Sequence, residues 1–87
     1  HNMSAIARVG VDVAGGLIQG GGQSSFYMDG YLVSVVGDKI APHGHVNATM
    51  AEGSPDMFIE GKAVCRKGDR ATCNHTITTG SSDAFAD

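Results

Sequence analysis

Ile59-Glu60-Gly61-Lys62-Ala63-Val64-Cys65-Arg66-Lys67-Gly68-Asp69 is the stretch that decides how this chain folds, because its pattern occurs more than once. Phe26-Tyr27-Met28-Asp29-Gly30-Tyr31-Leu32-Val33-Ser34-Val35-Val36-Gly37-Asp38 aligns with residues 57–69. Gly30 falls on Gly61, Gly37 on Gly68 and Asp38 on Asp69 at one constant offset. A shorter copy, Ala5-Ile6-Ala7-Arg8-Val9-Gly10-Val11-Asp12, lies near the start, with one extra residue between its glycine and its aspartate. Self-similarity at a fixed spacing marks a repeated supersecondary unit. Each full copy reads as a β-hairpin. Asp29-Gly30 is a strong two-residue turn between β-forming runs, since glycine accepts positive φ, and Glu60-Gly61 is a weaker version. The strand after the first turn is expected to run from Tyr31 to Val36, with Tyr31, Val33 and Val35 on one face and Leu32, Ser34 and Val36 on the other. No stretch sustains a helical period, so the class is a small all-β fold.

A chain of 87 residues with thirteen glycines and only five aromatic residues has few large side chains to bury. Such a chain needs a staple: a disulfide, a metal or a partner. Residues 3–87 are expected to form one domain, with His1 and Asn2 set aside as foreign to the natural chain. A net charge of −3 argues against nucleic acid as a partner. The group Arg66, Lys67 and Arg70 reads as a solvated strand edge. No apolar run approaches the about 18 residues of a membrane-spanning helix. No secretory leader pattern stands at the start, so synthesis in the cytoplasm is expected. Two cysteines, Cys65 and Cys73, are too few for a disulfide framework, and a metal is the better use for at least one. Gly20-Gly21-Gly22 lacks the ending of a phosphate loop and reads as a flexible connection. The tail after His75, rich in threonine and serine, shows no recognisable module.

The histidines are not scattered. His43 and His45 flank Gly44 just after the second Gly-Asp, and Cys73 and His75 flank Asn74 just after the third. Either pair alone is a common surface-loop pattern. Their matched placement in two repeats makes the four a candidate set, because hairpins related by rotation would bring their ends together. Zinc suits three imidazoles and a thiolate. Its binding in zinc-finger peptides is worth roughly 10–16 kcal/mol, comparable with the whole stability of a small domain at about 5–15 kcal/mol. Cys65 is a competing ligand, but it sits where the first copy has Ala7 and reads as a small buried apolar residue. Asp12, Asp38 and Asp69 recur, which favours turn residues accepting backbone N–H bonds over catalytic carboxylates. Arg8 and Arg66 read as paired or packed surface arginines. Met28, Met57, Phe26 and Phe58 read as core or interface packing.

The elements Ala5-Ile6-Ala7-Arg8, Leu32-Val33-Ser34-Val35 and Ala63-Val64-Cys65-Arg66, each followed by x-Gly and then Asp, resemble the proline-alanine-alanine-arginine (PAAR) repeat family over most of residues 5–75. The prolines are absent, and only Arg8 and Arg66 keep the arginine. The resemblance implies a pointed β-fold with hairpins in a pseudo-threefold conical arrangement. It implies Zn2+ near the apex, held by His43, His45, Cys73 and His75. The family often has a ligand histidine in the first copy, where this chain has Val13-Ala14-Gly15-Gly16. It also implies a flat base seated on a trimeric β-helical spike, VgrG-like or a phage tail spike, with Tyr27, Met28, Phe58 and Ile59 in or near that base. The role implied is structural, not enzymatic. The tip would help membrane piercing, with transient membrane contact only, and would be delivered outside the cell with its spike. Effector proteins would bind non-covalently, since only twelve residues follow His75. Two other readings stand beside this one. A cytoplasmic zinc-binding adaptor with another protein partner shares every site residue. A small zinc hydrolase is disfavoured, because four protein ligands leave no open coordination position and the chain is short for a pocket.

Overall fold

The computed structural model describes residues 3–87. Nine short strands follow one another: β1 (Ser4–Ala5), β2 (Val13–Ala14), β3 (Gly16–Gly20), β4 (Tyr27–Met28), β5 (Tyr31–Leu32), β6 (Lys39–Ile40), β7 (Phe58–Ile59), β8 (Lys62–Ala63) and β9 (Phe85–Ala86). The described residues contain no helix. The two expected hairpins are β4–β5 and β7–β8. Both turn residues of each sit at positive φ, with Asp29 at 54° and Gly30 at 86°, Glu60 at 52° and Gly61 at 78°. This is the turn geometry whose twist matches that of the flanking strands. Glu60 therefore adopts the same turn as Asp29, at a left-handed cost of about 1–2 kcal/mol.

A third hairpin is assembled from the two ends of the chain. β9 pairs antiparallel with β1 in the register Ala5↔Phe85 and Ser4↔Ala86. That matches Tyr27↔Leu32 with Met28↔Tyr31, and Phe58↔Ala63 with Ile59↔Lys62. The tail, expected to carry no module, is thus the missing first strand of the first copy. Its local chemistry repeats too. Ser54 Oγ accepts the N–H groups of Asp56 and Met57, both at 3.1 Å. Ser81 Oγ accepts those of Asp83 at 3.0 Å and Ala84 at 3.1 Å. Gln23 Oε1 does the same for Ser25 at 2.8 Å and Phe26 at 2.9 Å.

The strand after each turn does not run on as sequence alternation suggests. It leaves its hairpin and pairs with the other two copies around a ring. Ala7 N–H donates to Cys65 O at 3.0 Å, Cys65 N–H to Ser34 O at 2.8 Å, and Ser34 N–H to Ala7 O at 3.0 Å. A second ring repeats this with Val9 to Leu32 at 2.8 Å, Val36 to Ala63 at 2.9 Å and Lys67 to Ala5 at 2.8 Å. Three backbones converging on one axis leave room only for small side chains, and Ala7, Ser34 and Cys65 are all fully buried. The arrangement is pseudo-threefold.

The recurring aspartates hold each copy's turn. Asp12 and Asp69 accept the N–H groups of Arg8 and Arg66 at 2.7 Å, and Asp38 accepts that of Val35 at 3.0 Å. The guanidinium groups close the pairs, Arg8 Nε–Asp12 Oδ2 at 3.0 Å and Arg66 Nη2–Asp69 Oδ1 at 2.7 Å. Arg66 is therefore not a solvated edge charge. Burial pushes the Asp12 carboxyl up, but the bonds from Arg8 and from Thr79 Oγ1 outweigh it and hold the group below its usual range. The middle copy has Val35 in place of an arginine. There Gly22 N–H donates to Asp38 Oδ1 at 2.7 Å. A Cβ on Gly22 would come within 2.6 Å of Val35 Cγ2, so this glycine is packed in place and not a loose connector.

Two apolar clusters fill the interior. One holds Ala7, Ile18, Ile40, Met50, Cys65 and Ile77, with Cys73 packed against it. The other holds Ile6, Val33, Val35, Ile59, Val64 and Ala86, with Met28 and Met57 packed against it. Neighbouring residues of the ring point into different clusters, Ala7 and Cys65 into the first, Ile6 and Val64 into the second. Cys73 and the hairpins therefore belong to opposite ends of the molecule.

Candidate metal centre

Each copy sends one loop to the end where Cys73 lies, and the three loops differ in length. The first turns at Gly15 alone, between Ala14 and Gly16. The third leaves at Ala71, whose N–H donates to His75 O at 2.9 Å. The second leaves at Ile40, whose N–H donates to Ala48 O at 3.0 Å. Left-handed residues let the two longer loops fold back, with Gly44 at φ 88° between its histidines and Asn74 at φ 71° between Cys73 and His75.

These turns bring three of the sequence-predicted residues, His43, His45 and His75, into one group, with Cys73 beside His43. The His43, His45 and His75 rings have centroids 5.2, 4.9 and 5.4 Å apart. Each ring offers a nitrogen within 4.8 Å of the other two. Cys73 Sγ stands 3.3 Å from His43 Nε2, against one side of the histidine group. His43 Nδ1 lies 2.8 Å from Ala41 O. A carbonyl can only accept, so Nδ1 carries the hydrogen and Nε2 presents its lone pair beside Cys73. The group can hold a metal. Bonds of about 2.0–2.1 Å to nitrogen and about 2.3 Å to sulfur at tetrahedral angles place donors roughly 3.3–3.6 Å apart. The His43–Cys73 separation fits that spacing.

Cys65 is apart from this group. It is fully buried, 3.3 Å from Glu52 O, and burial pushes its thiol up to about 12. It is an inert core residue. Gly15 and Gly16 supply no donor.

At the opposite end, the three hairpins carry equivalent residues at the start of their first strands. Tyr27 is 60% exposed and Phe58 57%. Phe85, their equivalent in the third hairpin, is 48% exposed. Met28 is half-buried, and Ile59 is turned inward at 8%. Sequence reading missed Phe85. The signal was present in Gly80-Ser81-Ser82-Asp83-Ala84-Phe85, which repeats Gly53-Ser54-Pro55-Asp56-Met57-Phe58.

The model of the PAAR motif family matches residues 11–79. The chain belongs to the PAAR motif family. The family is a structural one of spike-tip proteins, and its members associate with spike proteins. The residues outside the match, 3–10 and 80–87, are those that close the third hairpin. The chain is also 47% identical over 36 residues to the double-stranded DNA deaminase toxin A of Burkholderia cenocepacia (strain H111). That stretch is 41% of this chain, and the chain spans about 2% of the toxin's length.

Proposed function

We propose that residues 3–87 form a Zn2+-loaded cap that sharpens a trimeric β-helical spike. The observation that carries this reading is the threefold set Tyr27, Phe58 and Phe85, exposed at the end opposite the His/Cys group. A trimer presents the same strand end three times. Three like aromatic corners answer it, each covering one subunit's apolar edge. The partner would be a VgrG-like spike or a phage tail spike. The chain would be made in the cytoplasm and delivered outside with the spike, meeting the membrane only transiently. Similarity to a stretch of a toxin supports association with effector cargo.

At the apex, His43, His45, His75 and Cys73 would hold the zinc. Bound there, the ion would tie two loops together where no apolar core can. His43 is held in the ligating tautomer by Ala41 O. Four protein donors leave no open position for substrate or water, which sets a structural site apart from a hydrolytic one.

The experiment is capture of the purified chain on an immobilised trimeric spike of either kind. Charge introduction at Tyr27→Asp, Phe58→Asp or Phe85→Asp should abolish capture while leaving the fold intact. Undiminished capture of all three variants would overturn the docking assignment.

A further inference from the structure

The two adjacent glycines of the first loop lie where the apex is most crowded. An ideal Cβ on Gly15 would fall 2.6 Å from His75 Cγ, 2.7 Å from His43 Cδ2 and 2.9 Å from His43 Nε2. His75 Cγ is the atom by which the ring is attached, so it cannot swing aside without leaving its rotamer. A Cβ on Gly16 would fall 2.8 Å from His43 Nδ1 and would collide with Ala41 O. Those two atoms are the donor and acceptor of the bond that fixes the His43 tautomer.

Backbone conformation does not account for this pair. Gly10 and Gly44 have φ near that of Gly15, at +83° and +88° against +80°, yet nothing lies within 4 Å of their Cβ positions. Glycine there serves the backbone alone. Gly16 is the converse: it sits in β3 without a left-handed φ, so only space requires it.

We infer that Gly15 and Gly16 are positioning residues of the metal centre, the first loop giving clearance where the other two give donors. The inference rests on the zinc reading above. Gly15 makes room for the His43 and His75 rings. Gly16 leaves the Nδ1–H···O=C bond of His43 undisturbed. With no side chain from the first loop, all four donors can come from the other two.

The test is Zn2+ affinity, measured by competition with a chromophoric chelator, for wild type, Gly10→Ala, Gly15→Ala and Gly16→Ala. Cobalt(II) absorption of each reports the ligand geometry. Gly10→Ala carries the backbone strain without the collision and should bind zinc as wild type does. Gly16→Ala should weaken binding about 10–100-fold, as loss of an outer-shell partner does. Gly15→Ala should weaken it at least as much and alter the cobalt spectrum. If Gly15→Ala does not fold, Gly16→Ala, free of left-handed strain, decides alone. Affinities for both within about twofold of Gly10→Ala would overturn the inference and leave the zinc site standing. A wild-type chain that binds no zinc would overturn the zinc reading itself.

Discussion

The two ends of the molecule treat the repeat differently. At the hairpin end the threefold rule is kept in detail: Tyr27, Phe58 and Phe85 correspond, as do Gln23, Ser54 and Ser81, and the backbone ring closes in three like steps. At the other end the rule is abandoned. One loop is a glycine turn, one carries His43 and His45, and one carries Cys73 and His75. On the proposed function, the difference follows from what each end would meet. A trimeric partner asks for three equal contacts. A tetrahedral ion asks for four donors, which three loops cannot share equally. Symmetry is given up only where the chemistry is not threefold.

The largest test of this division is removal of a donor. Cys73→Ala or His75→Ala should lose the metal and cost up to roughly 10 kcal/mol of apparent stability, read as a fall in unfolding temperature that a chelator reproduces in wild type. The metal-free chain should keep its β signal in circular dichroism, because the backbone ring does not depend on the apex. An unchanged unfolding temperature would break the comparison at its metal end.

Next come the aspartates. Asp12→Ala removes the carboxylate shared by the Arg8 N–H, the partly exposed Arg8 guanidinium and the Thr79 hydroxyl, and should cost about 2–4 kcal/mol in urea denaturation. Asp38→Ala strands only N–H groups and should cost about 1–3 kcal/mol. Equal losses would show that the arginines add nothing and that the middle copy is no weaker. The acid limb gives the sign. The folded Asp12 carboxyl lies below its usual range, so its contribution is present above the unfolded value near 3.9 and drains away as pH falls through the folded value. Asp12→Asn should flatten stability below about pH 4.

At the hairpin end, Tyr27→Ala, Phe58→Ala and Phe85→Ala should each weaken spike binding by about 2 kcal/mol, roughly 30-fold. Each should shift stability by less than about 0.5 kcal/mol, since the side chains are exposed. Three similar losses would sharpen the threefold assignment, and one dominant loss would break it. Gly10→Ala meets no neighbour, so it should leave metal and spike binding unchanged and cost only the left-handed penalty of about 1–2 kcal/mol in stability.

What could be read in advance was what neighbouring residues encode. Asp29-Gly30 and Glu60-Gly61 specify their own turns, Gly37-Asp38 and Gly68-Asp69 mark the turns their aspartates hold, and His43-Gly44-His45 and Cys73-Asn74-His75 follow those marks. The rest depends on distant parts of the chain. The third hairpin has no turn, because β1 and β9 come from opposite ends. Alternation along residues 31–36 is the same whether the strand stays with its hairpin or crosses to the ring. Ile59 faces inward because a two-residue strand puts one side chain on each face. Gly15, Gly16 and Gly22 act by what they lack, and an absent side chain leaves no pattern to find.

The proposed zinc site is closed, with three histidines and one cysteine drawn from two loops. X-ray absorption at the zinc edge of the metal-loaded chain tests it directly. A shell of three nitrogens at about 2.0–2.1 Å and one sulfur at about 2.3 Å is the predicted result. A shell without sulfur, or one completed by water oxygen, would contradict it.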